Sequence, residues 1–216
     1  MRGVYFGDYH TVNDWNLILS EKTIDPPTPK IVSINIDGRD GTLDLSRALT
    51  GEMMYENRSA SFTFLITEGN QNDRASLIQT IINEIHGRRL QIIEPDSPDY
   101  YLIGECTVSD VISNKAYGSF TVSADCEPYY YYSNETIRTL AVNNESIEIV
   151  LTNSGRKNII PVIQIIGSID LLYGNTSVSL SEGTYKLTSL SLKPGATVVK
   201  VSGSGAVVFS YREARL

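Results

Sequence analysis

Apolar residues recur at helical spacing in one stretch of the first half of the chain. On one helical face they are Leu77, Ile78, Ile81, Ile82 and Ile85. Asn72 or Asp73 is a suitable N-terminal cap, and Gly87 follows the apolar run as a stop signal. The pattern therefore predicts one long helix near residues 73–86, whose apolar face needs a sheet to cover.

Elsewhere in the first half, apolar residues alternate with polar ones, which is typical of strands with one buried face. The alternation predicts strands at residues 31–36, 59–66, 90–93 and 118–126. In the last of these, every second residue from Phe120 onward is apolar or Cys, whereas the residues between them are Ser, Thr or Asp. This part of the chain is therefore predicted to be mostly β with one helix.

A turn at residues 114–118 would join the strand 118–126 to the strand before it. The expected register sets Ile112 opposite Phe120 and Cys106 opposite Cys126. Both cysteines would then share the buried face. A disulfide is conceivable there, but we favour reduced thiols because we expect the protein to be assembled in a cytoplasm.

A different pattern begins after the tyrosine run 129–132. Short apolar runs alternate with turn signals, which are Asn143-Asn144, Asn153-Ser154-Gly155, Gly174-Asn175, Glu182-Gly183, Lys193-Pro194-Gly195 and Gly203-Ser204-Gly205. This spacing predicts a small β-sandwich. We therefore predict a mainly β chain with two domains. Residues 1–132 would form a barrel- or sandwich-like domain with one α-helix, and residues 133–216 would form the β-sandwich.

Composition and charge narrow the possible partners. No apolar stretch approaches the roughly 20 residues that span a bilayer, and the first residues do not read as a signal peptide, so we expect no membrane insertion. Up to Glu135 there are 20 Asp and Glu against 10 Lys and Arg, within a net charge of −7. This balance argues against sequence-specific nucleic-acid binding, which needs clustered Lys and Arg. The acidic excess is either ordinary solvated surface or a wall that faces another polyanion.

Motifs that carry catalytic chemistry are scarce. His10 and His86 are the only histidines, and the two cysteines lack metal-ligand spacing, so neither catalysis nor a cofactor is predicted. The densest acidic cluster is Asp37, Asp40 and Asp44, which could supply the carboxylate pair of a hydrolase. The Asp and Gly residues of this segment also suit a tight turn, and a calcium loop would need more oxygen ligands. We favour the turn.

Tyrosine is unusually frequent, with 13 residues against one tryptophan, and Tyr129 to Tyr132 form an unbroken run. Tyrosine combines a large apolar face with a polar tip, so the run is typical of a protein interface or of strand packing. The sequence leaves these two interpretations open. A sugar-stacking platform is a third and less favoured one.

Several short segments occur in a fixed order along the chain. The N-terminal ones are Tyr5-Phe6-Gly7, Trp15-Asn16-Leu17, Pro26-Pro27, Gly38-Arg39-Asp40-Gly41, Leu43-Asp44-Leu45-Ser46, Tyr55-Glu56-Asn57-Arg58 and Phe62-Thr63-Phe64. The C-terminal ones are Asn153-x-Gly155, Pro161, Ile163, Ile165, Gly167, Leu192-Lys193-Pro194-Gly195 and the closing run Val-Val-Phe-Ser-Tyr-Arg. Taken in order, they resemble the distal tail protein family of long-tailed phages that infect Gram-positive bacteria. The resemblance covers nearly the whole chain.

This resemblance implies a non-enzymatic structural protein of the virion tail, made and assembled in the cytoplasm of the bacterial host. The first domain would be a hub that assembles as a hexameric ring, and the second would be an outward galectin-like β-sandwich. One face of the ring would dock on the tail tube protein, and the other would receive a tail-associated lysin or fibre protein. The outer domains are candidates for holding receptor-binding proteins.

Candidate interaction residues come from the matching segments and from the tyrosine run. They are Tyr5, Phe6, Trp15, Arg39, Asp40, Asp44, Arg58, Tyr129 and Tyr130. Part of the acidic excess is expected to line the central channel, where it would let DNA slide. The main alternative function is a carbohydrate-binding adhesion module built on the C-terminal sandwich.

Overall fold

The computed structural model of the chain describes residues 3–48 and 51–216. These residues form seventeen strands and one α-helix, so the predicted mainly β class is confirmed. They divide into two compact units, one ending at Tyr130 and one running from Tyr131 to Leu216. The predicted boundary, between residues 132 and 133, lies two residues further along the chain. That each part is an independent domain stays a prediction.

The first unit is built on one antiparallel sheet. Its strands are β1 (Tyr5–Phe6), β2 (Tyr9–His10), β3 (Ile18–Ile24), β4 (Ser33–Asn35), β5 (Thr42–Asp44), β6 (Arg58–Ile66), β7 (Arg88–Ile93), β8 (Tyr100–Ser113) and β9 (Gly118–Cys126). Seven of them form the sheet in the order β2-β1-β7-β8-β9-β6-β3, whereas β4 and β5 pair only with each other among the described residues. A short strand, β10 (Tyr130–Tyr132), spans the boundary between the units.

The single described helix, α1 (Gln71–Ile85), packs on the core face of β8 and β9. Its buried face carries Ile78, Ile81 and Ile85, as the periodicity predicts. The predicted cap is wrong, because Asn70 caps the helix: its side chain accepts hydrogen bonds from the N–H groups of Asn72 and Asp73 at 2.9 and 3.1 Å. The Asp73 carboxylate accepts in return from the Asn70 N–H, which completes a capping box.

The hairpin of β8 and β9 has a different register from the predicted one. Cys106 faces Ala124, and Ile112 faces Ser119 rather than Phe120. The cause is a bulge between Ser109 and Ile112, where Asp110 takes a positive φ of 51°. At Cys106 the register differs from the predicted one by two residues, which leaves both cysteines on the predicted buried face. At Ile112 it differs by one residue, and the side chain predicted to be buried opposite Phe120 is 47% exposed.

The two cysteines therefore lie diagonally on neighbouring strands, and both face the core. Cys106 and Cys126 are each fully buried, and neither forms a disulfide. The shared buried face and the free thiols agree with the prediction from strand parity. Burial in these apolar surroundings raises the pKa of each thiol to about 12.

The second unit is a β-sandwich made largely by two long strands. Its strands are β11 (Thr136–Asn143), β12 (Ile147–Asn153), β13 (Val162–Tyr173), β14 (Thr176–Leu180), β15 (Gly183–Lys186), β16 (Gly195–Tyr211) and β17 (Ala214–Arg215). The first half of β16 pairs with β12 and its second half with β11. Likewise β13 pairs first with β15 and then with β14. Each long strand thus contributes to both layers.

The prediction of a chain reversal at Gly203-Ser204-Gly205 is wrong, because these residues lie inside β16. Gly203 and Gly205 have φ angles of 113° and 144°, and they pair with Ile169 and Gly167 of β13. Glycine inside a strand often marks a sharp bend or a close approach of two backbones. Here it bends the strand between the two layers of the sandwich.

The Asn153-x-Gly155 segment closes one end of this sandwich. The buried Asn153 amide donates to the carbonyl oxygens of Lys157 and Leu192 at 2.8 and 2.9 Å, and its Oδ1 accepts from the Gly155 N–H. A Cβ on Gly155 would lie 2.2 Å from the Ala214 carbonyl oxygen. These contacts hold the neighbouring loops together, so the motif has a structural role.

Candidate interaction surfaces

The strands β4 and β5 form a two-stranded ribbon, which we call the arm (residues 31–46). Ile34 pairs with Leu43, and the turn between the strands contains Gly38 and Gly41 at positive φ. The Leu45 N–H donates to the Val32 carbonyl oxygen at 2.7 Å and extends the ribbon beyond the paired strands. The predicted tight turn is confirmed, and the predicted strand is reduced to three residues.

One face of the arm is apolar and open to solvent. Strand alternation places Val32, Ile34, Ile36, Leu43 and Leu45 on this face. The exposed fractions of Val32, Ile34 and Ile36 are 52%, 47% and 43%. A two-stranded ribbon is marginally stable alone in water, and exposed aliphatic clusters of this kind mark binding surfaces. The arm is therefore the strongest candidate for a contact with another chain.

The candidate residues Arg39, Asp40 and Asp44 all belong to the arm. Arg39 and Asp40 lie in its exposed turn. Asp44 ends β5, and its Oδ1 accepts from the Ser46 N–H at 2.8 Å. Hydrogen bonds from the Ser46 hydroxyl and N–H hold the pKa of Asp44 below its ordinary value. A carboxylate stabilised in its charged form is a poor general acid, so Asp44 does not suit the proton-donating role in a carboxylate pair.

The N-terminal candidates have mixed environments. Phe6 is fully buried and makes edge contacts with Phe62 and Phe64. Trp15 is 8% exposed and stacks on Tyr9, with ring centroids 5.0 Å apart. Phe6 and Trp15 therefore stabilise the core in this structure. Tyr5 is 40% exposed, so its ring is open to a partner.

Arg58 and Tyr130 form a cation–π pair within the first unit. The Arg58 guanidinium lies 4.7 Å from the centre of the Tyr130 ring, and only 4% of Arg58 is exposed. The Tyr130 hydroxyl donates to the Glu94 carboxylate at 3.2 Å, and Lys22 donates to the same carboxylate. Burial, assisted by the Glu94 charge, raises the pKa of Tyr130 to about 12. These contacts favour packing for Tyr130.

Tyr129 contacts the ring of Tyr55 edge-on, with ring centroids 6.3 Å apart, and is half-buried. The structure thus brings Arg58 and Tyr130 together, and it gathers Arg39, Asp40 and Asp44 on the arm. Tyr5, Phe6 and Trp15 lie in the N-terminal segment of the same unit. A binding role for each of these residues stays a prediction.

The sheet of the first unit has a second notable surface on the side away from its core. Short hydroxyl side chains dominate the outward positions of β3, β6, β9 and β8, which also carry three carboxylates. We call this surface the hydroxyl face; it consists of Glu21, Thr23, Ser59, Ser61, Thr63, Glu105, Thr107, Ser109, Thr121, Ser123 and Asp125.

The hydroxyl face is ordered in rows across the four strands. Ser61, Ser123 and Thr107 are direct neighbours in register, and Thr63 meets Thr121 with their hydroxyl oxygens 3.2 Å apart. The next row runs from Ser59 through Asp125 to Glu105 and lines an open depression. Alternation predicted β6 and β9, and β8 was expected as the strand before the turn at residues 114–118, but only the fold places the four polar faces side by side.

Among residues 3–48 and 51–216, which the structure describes, no helix is both long and apolar enough to cross a membrane. Nor do the same residues bring together three or more His, Cys, Asp or Glu side chains in an arrangement that could hold a metal ion.

Comparison with known proteins places the fold among phage tail hub structures. The crystal structure of the Dit (gp 19.1) protein of phage SPP1, described as a paradigm of the hub adsorption apparatus in phages that infect Gram-positive bacteria, matches over 100% of both chains. The TM-score is 0.73 and the identity is 14%. The predicted resemblance to distal tail proteins is therefore confirmed at the level of the fold.

Two further solved structures show weaker likeness. They are the baseplate of phage p2 in its activated conformation with Sr and the same baseplate with Ca, at TM-scores of 0.47 and 0.46 and identities of 8% and 7%. In both comparisons 99% of this chain and 98% of the other chain are covered. No family model and no curated protein sequence matches the chain.

Proposed function

We propose that the protein is a non-enzymatic hub of a phage tail, in which six copies close into a ring through the first unit. In the virion tail, the ring would join the tail tube protein to the tail-associated lysin or fibre protein, and the second unit would hold receptor-binding proteins. Assembly would take place in the cytoplasm of the bacterial host. The full-length likeness to the SPP1 Dit fold supports this assignment.

The observation that carries the proposal is the uncovered apolar face of the arm. Covering these exposed aliphatic residues with another surface would lower the free energy of the complex, because burial of apolar area drives association. The polar residues Ser33 and Asn35, which alternate with these apolar ones, lie on the opposite face of the arm. We therefore assign the cover to a second copy of the chain.

A ring follows from the geometry of such a contact. The arm of one copy meets a different surface on its neighbour, so each copy offers one arm and receives one. Contacts of this heterologous kind repeat around an axis until the rotation closes. In a symmetric dimer the same contact would instead occur twice across one two-fold axis.

The experiment compares two substitutions at adjacent positions on opposite faces of the arm. Ile34→Asn introduces an amide on the apolar face, and Ser33→Asn introduces the same amide on the polar face. Mass photometry of the full chain should show hexamers for the wild type and for Ser33→Asn. Ile34→Asn should shift the population toward monomers at least tenfold. If the wild type requires the tail tube to close, the same comparison is made on tail tips assembled with it.

Two results would contradict the proposal. Ring formation that is equally efficient for both variants would remove the arm from the interface. A wild-type chain that forms no ring, either alone or in assembled tail tips examined by electron microscopy, would remove the hub assignment. Thermal melting of each variant checks that the substitution leaves the fold of the monomer intact.

A further inference from the structure

We propose that the arm of one copy docks on the end of the β8–β9 hairpin of the next copy. We call this surface the hairpin end; it consists of residues 111–117, where β8 turns into β9. The assignment rests on the proposed ring and names the surface that receives the arm. The partner of the hairpin end is therefore a second copy of this chain.

The first unit carries two clusters of exposed apolar side chains. Nine of its described large hydrophobic residues are exposed, and they are Tyr5, Ile31, Val32, Ile34, Ile36, Met54, Val111, Ile112 and Tyr117. Seven of the nine lie in the arm or in the hairpin end. A ring contact of the heterologous kind needs two different patches on every subunit, and these clusters supply one of each.

The apolar side chains of the hairpin end are exposed where the bulge interrupts the alternation of β8. Asp110 takes a positive φ of 51° at the bulge, and this conformation costs free energy for a residue that has a Cβ. After it, the consecutive residues Val111 and Ile112 are 49% and 47% exposed, and Tyr117 is 40% exposed. A backbone irregularity that leaves apolar side chains in water is typical of a binding surface.

The hairpin end is held in one conformation by hydrogen bonds within the subunit. The buried Arg74 of α1 donates from one guanidinium nitrogen to the carbonyl oxygens of Asn114 and Lys115, at 2.7 and 3.0 Å. The Asn114 Oδ1 accepts from the N–H groups of Ala116 and Tyr117, at 2.8 and 3.0 Å. Because the turn is already ordered, docking loses less conformational entropy, which favours association.

A pocket beside the hairpin end has room for an aliphatic side chain. Arg74, which holds the turn of the hairpin end, also lines this pocket, and its apolar lining consists of Trp15, Ile66 and Leu77. The pocket volume is about 210 Å³, which is below the range of sites that hold drug-sized ligands. The pocket therefore suits one side chain of a docked protein, and the exposed isoleucines and valine of the arm are of the required kind.

The charges of the two surfaces are complementary. The arm carries three carboxylates against Arg39 alone, whereas Lys115 is the one charged residue of the hairpin end. Glu68 and Asp73 also line the pocket and are suitable neighbours for Arg39. Charge pairs of this kind steer the encounter and set the orientation of the arm, while burial of the apolar clusters supplies the affinity.

The first experiment tests whether the ring needs the hairpin end. Ile112→Asn introduces an amide into the exposed cluster, and Ile137→Asn makes the same change at an exposed isoleucine of the second unit. Mass photometry should show hexamers for Ile137→Asn, as for the wild type, and a shift toward monomers of at least tenfold for Ile112→Asn. Where ring closure requires the tail tube, both variants are compared on assembled tail tips. Thermal melting checks that each variant keeps its fold.

The second experiment identifies the neighbour of the hairpin end in the wild-type ring. A zero-length carbodiimide joins lysine amines to carboxylates that lie in contact with them. In rings assembled from isotopically labelled and unlabelled chains, mass spectrometry of the digested protein should find Lys115 joined to a carboxylate of the arm, with the two peptides from different copies. Lys115→Arg keeps the charge but removes the amine, so this cross-link should disappear while the ring persists.

The outcomes separate the docking of the arm from the proposed function. Ring formation by Ile112→Asn that is as efficient as that by Ile137→Asn would overturn the inference and leave the hub assignment standing. Wild-type rings in which no carboxylate of the arm is joined to Lys115 would overturn it as well. A chain that forms no ring, in solution or in assembled tail tips, contradicts the hub assignment, and the docking of the arm on the hairpin end falls with it.

Discussion

Gly167 of β13 and Gly205 of β16 pair directly across the two strands that make both layers of the second unit. A Cβ on Gly205 would lie 1.9 Å from the Ile166 carbonyl oxygen, and one on Gly167 would lie 2.5 Å from the Ser204 carbonyl oxygen. Both residues have positive φ angles, 90° and 144°. The close approach of the two backbones is what lets the long strands bend together from one layer to the other.

Substitution of Gly205 by Ala should therefore destabilise the second unit. The added methyl group overlaps backbone atoms, and the positive φ disfavours any side chain, so the expected loss is about 3–5 kcal/mol in the free energy of unfolding. Gly174→Ala is the control, because Gly174 has a φ of 53° but open space around its Cα. It should cost about 1–2 kcal/mol. Calorimetry of the full chain measures both, and equal losses would contradict the role assigned to the bend.

The cap of α1 gives a second prediction. Asn70→Ala removes the acceptor for two N–H groups and should lower the free energy of unfolding by about 1 kcal/mol. Asn72→Ala, inside the exposed first turn, should change it by less than about 0.5 kcal/mol. Urea denaturation can be followed by the fluorescence of Trp15, the only tryptophan, which is buried in the first unit. A larger loss for Asn72→Ala than for Asn70→Ala would show that Asn72, one of the two caps predicted from the sequence, caps the helix.

The same helix shows how far the sequence alone could be interpreted. Its apolar face is a local pattern and was predictable, but Asn70, Asn72 and Asp73 are all good capping residues, and only the observed backbone selects Asn70. The register of β8 and β9 depends on a bulge at Asp110, which carries no apolar signature. Gly203 and Gly205 resemble a turn because a bend inside a strand and a chain reversal both favour glycine.

For the candidate surfaces too, part was predictable from the sequence and part depends on the fold. The sequence predicted a strand and a turn in the arm, but the exposure of its apolar face depends on the tertiary structure. The hydroxyl face combines residues from Glu21 of β3 to Asp125 of β9, which are far apart along the chain, so alternation in each strand could not show that they share one surface. Phe6, Trp15 and Arg58 belong to matching motifs, but aromatic and basic residues suit core packing as well as binding. Only the fold shows that these three are buried.

Tyr130 gives a pH-dependent prediction. Its pKa is about 12 in the folded protein against an ordinary value near 10, chiefly because of burial. The unfolded chain therefore releases this proton first, so the stabilising contribution is complete below pH 10 and is lost as the pH rises toward 12. The midpoint of urea denaturation, followed by Trp15 fluorescence, should fall over this range.

Tyr130→Phe is the matched variant for this measurement. It should lose about 1 kcal/mol near pH 7, because the hydrogen bond to Glu94 is removed, and its midpoint should fall less steeply above pH 10. Cys106 and Cys126 shift in the same direction, so the difference between the two proteins isolates the phenol. Parallel curves for the wild type and Tyr130→Phe would contradict the assignment.

The buried thiols give the last prediction. Cys106 and Cys126 are fully buried, and a pKa of about 12 leaves only about one thiolate in ten thousand at pH 8. Since the thiolate is the reactive form, both cysteines in the native protein should react with a soluble maleimide at least a hundredfold more slowly than a thiol introduced at the exposed position Ser177 by Ser177→Cys. In denaturing urea, where burial no longer raises the pKa, all three should react at similar rates. Native labelling of Cys106 or Cys126 within tenfold of the rate for Ser177→Cys would show that the core face of β8 and β9 opens readily. Such opening would contradict the packing of α1 against these strands.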